Sequence, residues 1–212
     1  TLYRYNDLPL YSDGFHLYMK DGYTFWNPGW QPVKTPPDFY ECRHGLGYTV
    51  IRGSKQGVLA TQELLVPKGD DVLLLRLTLE NTTAAEKNPD LFSFVEFCLW
   101  DAQDDCTNFQ RNYSTGEVEV EGRAIYHKTE YRERRNHYAV FYTNRDISGF
   151  DTAREAFMGT YGSPAAPEAV LKGCCSGSVA HGWQPVGAHH LRLTLAPGEK
   201  QTFLFGLGYI EV

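Results

Sequence analysis

Apolar residues recur at every second position from one end of this 212-residue chain to the other. Leu73, Leu75, Leu77 and Leu79 alternate with Leu74, Arg76, Thr78 and Glu80, and Asn81, Thr82 and Thr83 close the run. Residues two apart share a face only in an extended strand, so this spacing predicts half-buried strands. Phe92, Phe94, Glu96 and Cys98 alternate with Leu91, Ser93, Val95, Phe97 and Leu99, and the second set is apolar apart from its serine. In the EVEVE run, Val118 and Val120 point inward. Leu191, Leu193 and Leu195 precede the turn-forming APGEK, and Phe203, Phe205, Leu207 and Tyr209 follow it. That pattern predicts a β-hairpin.

Helical periodicity is scarce. One short helix is expected at residues 151–158, with Asp151 or Thr152 as cap and Gly159 as terminator. Pro and Gly mark loops at residues 27–29, 35–38, 162–167 and 173–178. Many strands with almost no helix predict an all-β fold, a sandwich or a barrel, formed as one domain over residues 1–212. The hydrophobic share of 42% is enough for a sizeable core, and the aromatic share of 14% favours strands and sugar-facing or protein-facing surfaces.

A formal net charge of −6 argues against nucleic acid or an anionic membrane as partner. No run of about 18 apolar residues predicts a membrane-spanning helix. Five cysteines (Cys42, Cys98, Cys106, Cys174 and Cys175) include an adjacent pair and no CxxC, which fits a reducing, cytoplasmic setting better than a disulfide framework. The chain opens on Thr1 in TLYRYNDLPLY, which reads as the interior of a longer protein.

Four segments are unusual for a plain sandwich. In the first, Trp26 and Trp30 flank Asn27-Pro28-Gly29; the indoles either plug the end of the sandwich or stack on a sugar or partner. The second, residues 40–48, brings Cys42 near His44, but one Cys and one His cannot complete a zinc site. Nothing identifies an Asp or Asn to orient a thiolate–imidazole pair. Glu41 and Arg43 are expected to form a local ion pair.

The third segment, residues 100–112, holds Asp101, Asp104 and Asp105 with Asn108, Gln110 and Arg111. Its carboxylates lack the spacing of a calcium loop. They could supply the acid and base of glycoside cleavage, hydrogen-bond a bound sugar, or simply face solvent. The fourth, residues 127–137, interleaves Lys128, Arg132, Arg134 and Arg135 with Glu130 and Glu133, a pattern of salt-bridged surface. No Gly-rich phosphate loop, GxSxG or HExxH occurs.

The same four segments resemble the N-terminal region of bacterial cellobiose phosphorylases of glycoside hydrolase family 94. The stretches are FWNPGWQPVKTPPDFYECRHGLGYT, FVEFCLWDAQDDCTNFQRN, GEVEVEGRAIYHKTEYRERRNHYA and SVAHGWQPVGAHHL, in order from about Trp26 to the C-terminus. The resemblance implies a large antiparallel β-sandwich of the supersandwich, galactose-mutarotase-like kind, joined in the parent to an (α/α)6 barrel. It implies an enzyme that splits cellobiose with inorganic phosphate as co-substrate, with inversion and no cofactor. Its general acid is a barrel Asp, so no catalytic residue and no metal site are expected in these 212 residues. In such homodimers a sandwich loop reaches the sugar site of the adjacent subunit. The resemblance carries that role to Asn108, Gln110 and Arg111, and to Asp101, where relatives can bear Asn. The implied partners are cellobiose or glucose, the barrel of the same chain and a second subunit.

Two other classes stand beside this one. A free-standing carbohydrate-binding module would share the sandwich without the enzyme. A hydrolase would use Asp101, Asp104 or Asp105.

Overall fold

The computed structural model describes residues 14–97, 116–129, 137–182 and 184–211. In chain order the strands are β1 (Phe15–Asp21), β2 (Thr24–Trp26), β3 (Phe39–His44), β4 (Tyr48–Lys55), β5 (Val58–Leu65), β6 (Val72–Asn81) and β7 (Asp90–Glu96). They continue as β8 (Gly116–Glu121), β9 (Ala124–Thr129), β10 (His137–Thr143), β11 (Gly149–Ala153), β12 (Pro185–Arg192) and β13 (Lys200–Glu211). Two short helices, α1 (Arg154–Met158) and α2 (Glu168–Lys172), lie between β11 and β12.

The strands form two antiparallel sheets, one of five strands in the order β11-β12-β7-β1-β2 and one of eight in the order β3-β4-β5-β6-β13-β10-β9-β8. The all-β sandwich expected from the alternation is therefore the observed architecture. Leu75, Leu77 and Leu79 of β6 and Phe203, Phe205 and Leu207 of β13 meet Leu17, Met19, Leu91 and Val95 of the smaller sheet in one core. Val118 is buried there too, while Val120 packs against it partly exposed.

A second core covers the other face of the five-stranded sheet. Tyr18, Phe92, Phe94, Val186 and Ala188 pack with Phe157 and Met158 of α1 and Ala169 and Val170 of α2. The central strand β7 is thus buried on both faces, as a strand sandwiched between two layers must be. The helix expected at 151–158 is shorter, because Asp151 and Thr152 belong to β11 and Ala153 takes the N-cap position without a side-chain bond. Gly159, at φ 87°, ends it as expected. The segment that forms α2 carried no helical periodicity in the sequence.

The expected C-terminal hairpin does not form. β12 pairs with β7 and β11, whereas β13 pairs with β6 and β10, so the APGEK turn carries the chain from one sheet to the other. Leu191, Leu193 and Leu195 then oppose Phe203, Phe205 and Leu207 across the core instead of lying beside them. Asn81 staples this corner. Its buried amide donates to the carbonyls of Ala85, Leu195 and Ala196 at 2.7, 2.9 and 3.2 Å.

Candidate functional site

The registers place the ends of many strands together. The end of β7 lies beside the start of β12 (Glu96 opposite Val186). In the larger sheet, the start of β8 faces the end of β9 (Gly116 opposite Thr129), and the start of β10 faces the end of β13 (His137 opposite Glu211). The two groups are tied together: the Gly182 amide donates to the Gly116 carbonyl at 3.1 Å, and Glu117 bridges to His181. Phe97 stacks on His127 across the sheets with ring centroids 5.0 Å apart. One end of the sandwich therefore carries the roots of the third and fourth unusual segments. Asp101, Asn108, Gln110 and Arg111 lie outside the described residues, as do Asp104, Asp105 and residues 130–136; their anchors do not.

The anchor at β7 is built from charge. Glu96 is buried and ion-paired with Arg154, whose backbone amide donates to the Gln184 carbonyl at 3.2 Å. Tyr18 lies under α1 and donates to the Pro164 carbonyl at 3.0 Å. Burial, reinforced by the negative charge of Glu96, pushes the Tyr18 phenol upward, so it stays a neutral donor. A buried ion pair of this kind costs desolvation, and what it contributes is a fixed position for the strand end.

A second group sits where β10 meets β13. His137 Nδ1 and the Tyr209 hydroxyl hydrogen-bond to each other, Tyr209 donates to Glu211 at 2.9 Å, and the two rings stack 5.5 Å apart. This acid–hydroxyl–imidazole cluster was not legible in the sequence, since it needs the pairing of strands some 70 positions apart. It offers hydrogen bonds to a sugar hydroxyl or a neighbouring surface.

Elsewhere the polar residues serve the scaffold. Asp151 accepts from the amides and hydroxyls of both Ser176 and Ser178. Burial, together with the charge of Asp151, pushes the Cys175 thiol up, away from nucleophilic thiolate. Cys42 and His44 are close (3.4 Å), with His44 also 3.0 Å from Thr49, on an exposed strand. Glu41 pairs with Arg43 at 2.7 Å as expected, and hydrogen bonds from Arg43 hold its carboxyl below the usual range. Trp26 is in the core, whereas Trp30 is exposed. Among the described residues, no group of three or more His, Cys, Asp or Glu is placed to hold a metal ion, and no helix is long and apolar enough to cross a membrane.

Residues 1–211 match the family described as glycosyl hydrolase 94, supersandwich domain. The chain belongs to this family. The supersandwich is 35% identical over 212 residues to an N,N'-diacetylchitobiose phosphorylase of Vibrio furnissii, a match covering 92% of this chain and 25% of that protein. It is 33% identical over 192 residues to a solabiose phosphorylase of Paenibacillus borealis, covering 89% and 25% respectively. The chain thus spans about a quarter of the length of these relatives. A bacterial glucoamylase solved with acarbose shares the supersandwich fold at a TM-score of 0.58 and 10% identity, over 93% of this chain and 27% of that one. A kojibiose phosphorylase from the human microbiome does so at 0.53 and 11%, over 92% and 21%.

Proposed function

We propose that this supersandwich is the N-terminal domain of a cytoplasmic, homodimeric, inverting disaccharide phosphorylase acting on cellobiose. The supporting observation is that relatives named for phosphorolysis of different sugars match about nine-tenths of the chain at 29–35% identity. In the proposed reaction a phosphate oxygen forms a bond to the anomeric carbon as the glycosidic C–O bond breaks. α-Glucose 1-phosphate and glucose result. The nucleophile is already an anion, so one general acid suffices to protonate the leaving oxygen, and no cofactor is needed. That acid lies in the barrel.

The contribution of the supersandwich is the loop between Phe97 and Gly116, presented to the sugar site of the adjacent subunit. Arg111 supplies a fixed fork of donors suited to vicinal hydroxyls, beside Asn108, Gln110 and Asp101. The full-length enzyme should release α-glucose 1-phosphate from cellobiose only when phosphate is present. Assay in parallel with N,N'-diacetylchitobiose, solabiose and laminaribiose tests the substrate. Phosphorolysis of one of these in place of cellobiose overturns the substrate, and phosphate-independent hydrolysis overturns the reaction.

A further inference from the structure

β3 is the edge strand of the eight-stranded sheet and is exposed at every residue but Glu41. Alternation divides its side chains between two faces. Glu41 and Arg43 share one face with Arg52 of β4, and Glu41 pairs with both arginines. Tyr40, Cys42 and His44 share the other. The turn after β3 sets the register: Gly47 takes φ 93°, the Gly45 amide donates to the Tyr48 carbonyl at 2.9 Å, and His44 stands directly opposite Thr49. His44 Nδ1 lies 3.0 Å from the Thr49 hydroxyl oxygen, and Nε2 lies 3.4 Å from Cys42 Sγ. With Nδ1–H donating to Thr49, Nε2 is left to accept the thiol proton. The orienting group that no Asp or Asn supplies is therefore a hydroxyl on the neighbouring strand.

Among the described residues, Cys42 is the one cysteine with an imidazole within hydrogen-bonding distance of its sulfur. An independent feature lies in the same cross-strand row. Cys42 is opposite Ile51, and Ile51 is opposite Gln62. Gln62 is 7% exposed, yet its side-chain amide has no hydrogen-bond partner among the described residues. The amide lies beside the loop between Trp26 and Trp30, with Nε2 3.8 Å from where a Cβ on Gly29 would stand. Two strand spacings, about 10 Å, separate this strand position from Cys42. A buried amide without a partner is unfavourable until other polar groups reach it. A tripeptide spans about 10 Å when extended, so one held at Cys42 is long enough to do so.

We propose that Cys42 is a site of reversible modification by a peptide disulfide of the glutathione class. His44 Nε2 takes the proton of the Cys42 thiol as the Cys42 sulfur attacks one sulfur of the disulfide. A bond forms between those two sulfurs, the original disulfide bond breaks, and the departing thiolate collects the proton from His44. One disulfide is exchanged for another, so no further oxidant is consumed. The peptide left on Cys42 lies along the row, where the Gln62 amide bonds its backbone. A reducing thiol reverses the step by the same exchange. Neither the site nor the step depends on the phosphorylase reaction.

Oxidised glutathione added to the full-length protein, followed by peptide mass spectrometry, tests this. Mixed disulfide should form at Cys42 at pH 7, while Cys175, partly buried with its thiol pushed up, stays unmodified and reports an intact fold. His44→Gln should slow the modification about tenfold or more, and Thr49→Val by a smaller factor. The gap between His44→Gln and the parent should close by about pH 9.5, where a thiol ionises without a base. Should His44→Gln unmask Cys175, Thr49→Val carries the same comparison. Gln62→Leu should slow the reaction of oxidised glutathione about threefold and leave that of bis(2-hydroxyethyl) disulfide, which carries no peptide, unchanged. Absence of mixed disulfide at Cys42 in the folded protein overturns the proposal, as does a rate at pH 7 that both His44→Gln and Thr49→Val leave unchanged. Equal slowing of the two disulfides by Gln62→Leu, or slowing of neither, overturns the peptide ligand.

Discussion

Glu96 and Arg154 form an ion pair at the point where β7 hands over to the polar segment, with the Glu96 side chain 7% exposed and that of Arg154 27%. Removing the guanidinium takes one counter-charge from a buried carboxylate. Arg154→Met should therefore destabilise the fold by about 3 kcal/mol, and adding Glu96→Leu should recover most of that loss. Denaturant unfolding of the two single variants and the double variant gives the coupling directly.

The inter-sheet core also holds two histidines that refuse protons. Burial lowers His127 to about 4 and His189 to about 3, against an ordinary value of 6.5. Burial outweighs the backbone hydrogen bonds that His127 makes at Glu117 and His189 at Arg123, and His189 Nδ1 lies 3.0 Å from the Ser93 hydroxyl. Below pH 6.5 the unfolded chain takes up protons that the folded chain does not. Stability is then complete above about 6.5 and falls as pH drops toward 4. His127→Phe, which can keep the stacking on Phe97, should flatten this acid limb by up to one proton. An unchanged pH slope of the unfolding free energy would show that His127 is not neutral in the fold.

Asn81 is fully buried and spends both ends of its amide at the sheet-to-sheet corner, with Oδ1 accepting from the amide and hydroxyl of Thr83. Asn81→Ala removes the side-chain donor from three carbonyls, leaving each with one other donor (the Thr83 hydroxyl to Ala85, the Lys87 amide to Leu195 and the Glu199 amide to Ala196), and should cost about 1–2 kcal/mol. Asn81→Asp should be at least as damaging, since a carboxylate cannot donate to those carbonyls. Thermal unfolding of the three proteins checks the order.

Gly53 lies under the Trp loop. A Cβ there would stand 2.5 Å from the Pro28 carbonyl oxygen, which is backbone and cannot rotate away. Gly53→Ala should lift the loop, cost about 1–3 kcal/mol and change the tryptophan emission through Trp26 and Trp30. Unaltered emission and stability would place the loop elsewhere.

In the full-length enzyme, Arg111→Ala should lower kcat/KM for cellobiose about tenfold or more, about 1.4 kcal/mol of transition-state stabilisation. A change within about twofold, some 0.4 kcal/mol, would remove Arg111 from the sugar site.

Much of this protein was legible before any fold was known. Strict alternation at Leu73–Leu79 and Val118–Val120 determined the strands and their inward faces, because a period of two is a property of the extended backbone itself. Gly159 ended a helix because its φ of 87° suits glycine. Glu41 met Arg43 because residues two apart on a strand point the same way. Tertiary structure alone decided the rest. Alternation assigns a side chain to a face but names neither the neighbouring strand nor the layer that covers it. Leu191–Leu195 and Phe203–Leu207 therefore read as partners in a hairpin, yet they face each other across a core. The same limit hid the double burial of β7 and the meeting of His137 with Tyr209 and Glu211. Each depends on long-range pairing, which one sequence read by period does not contain.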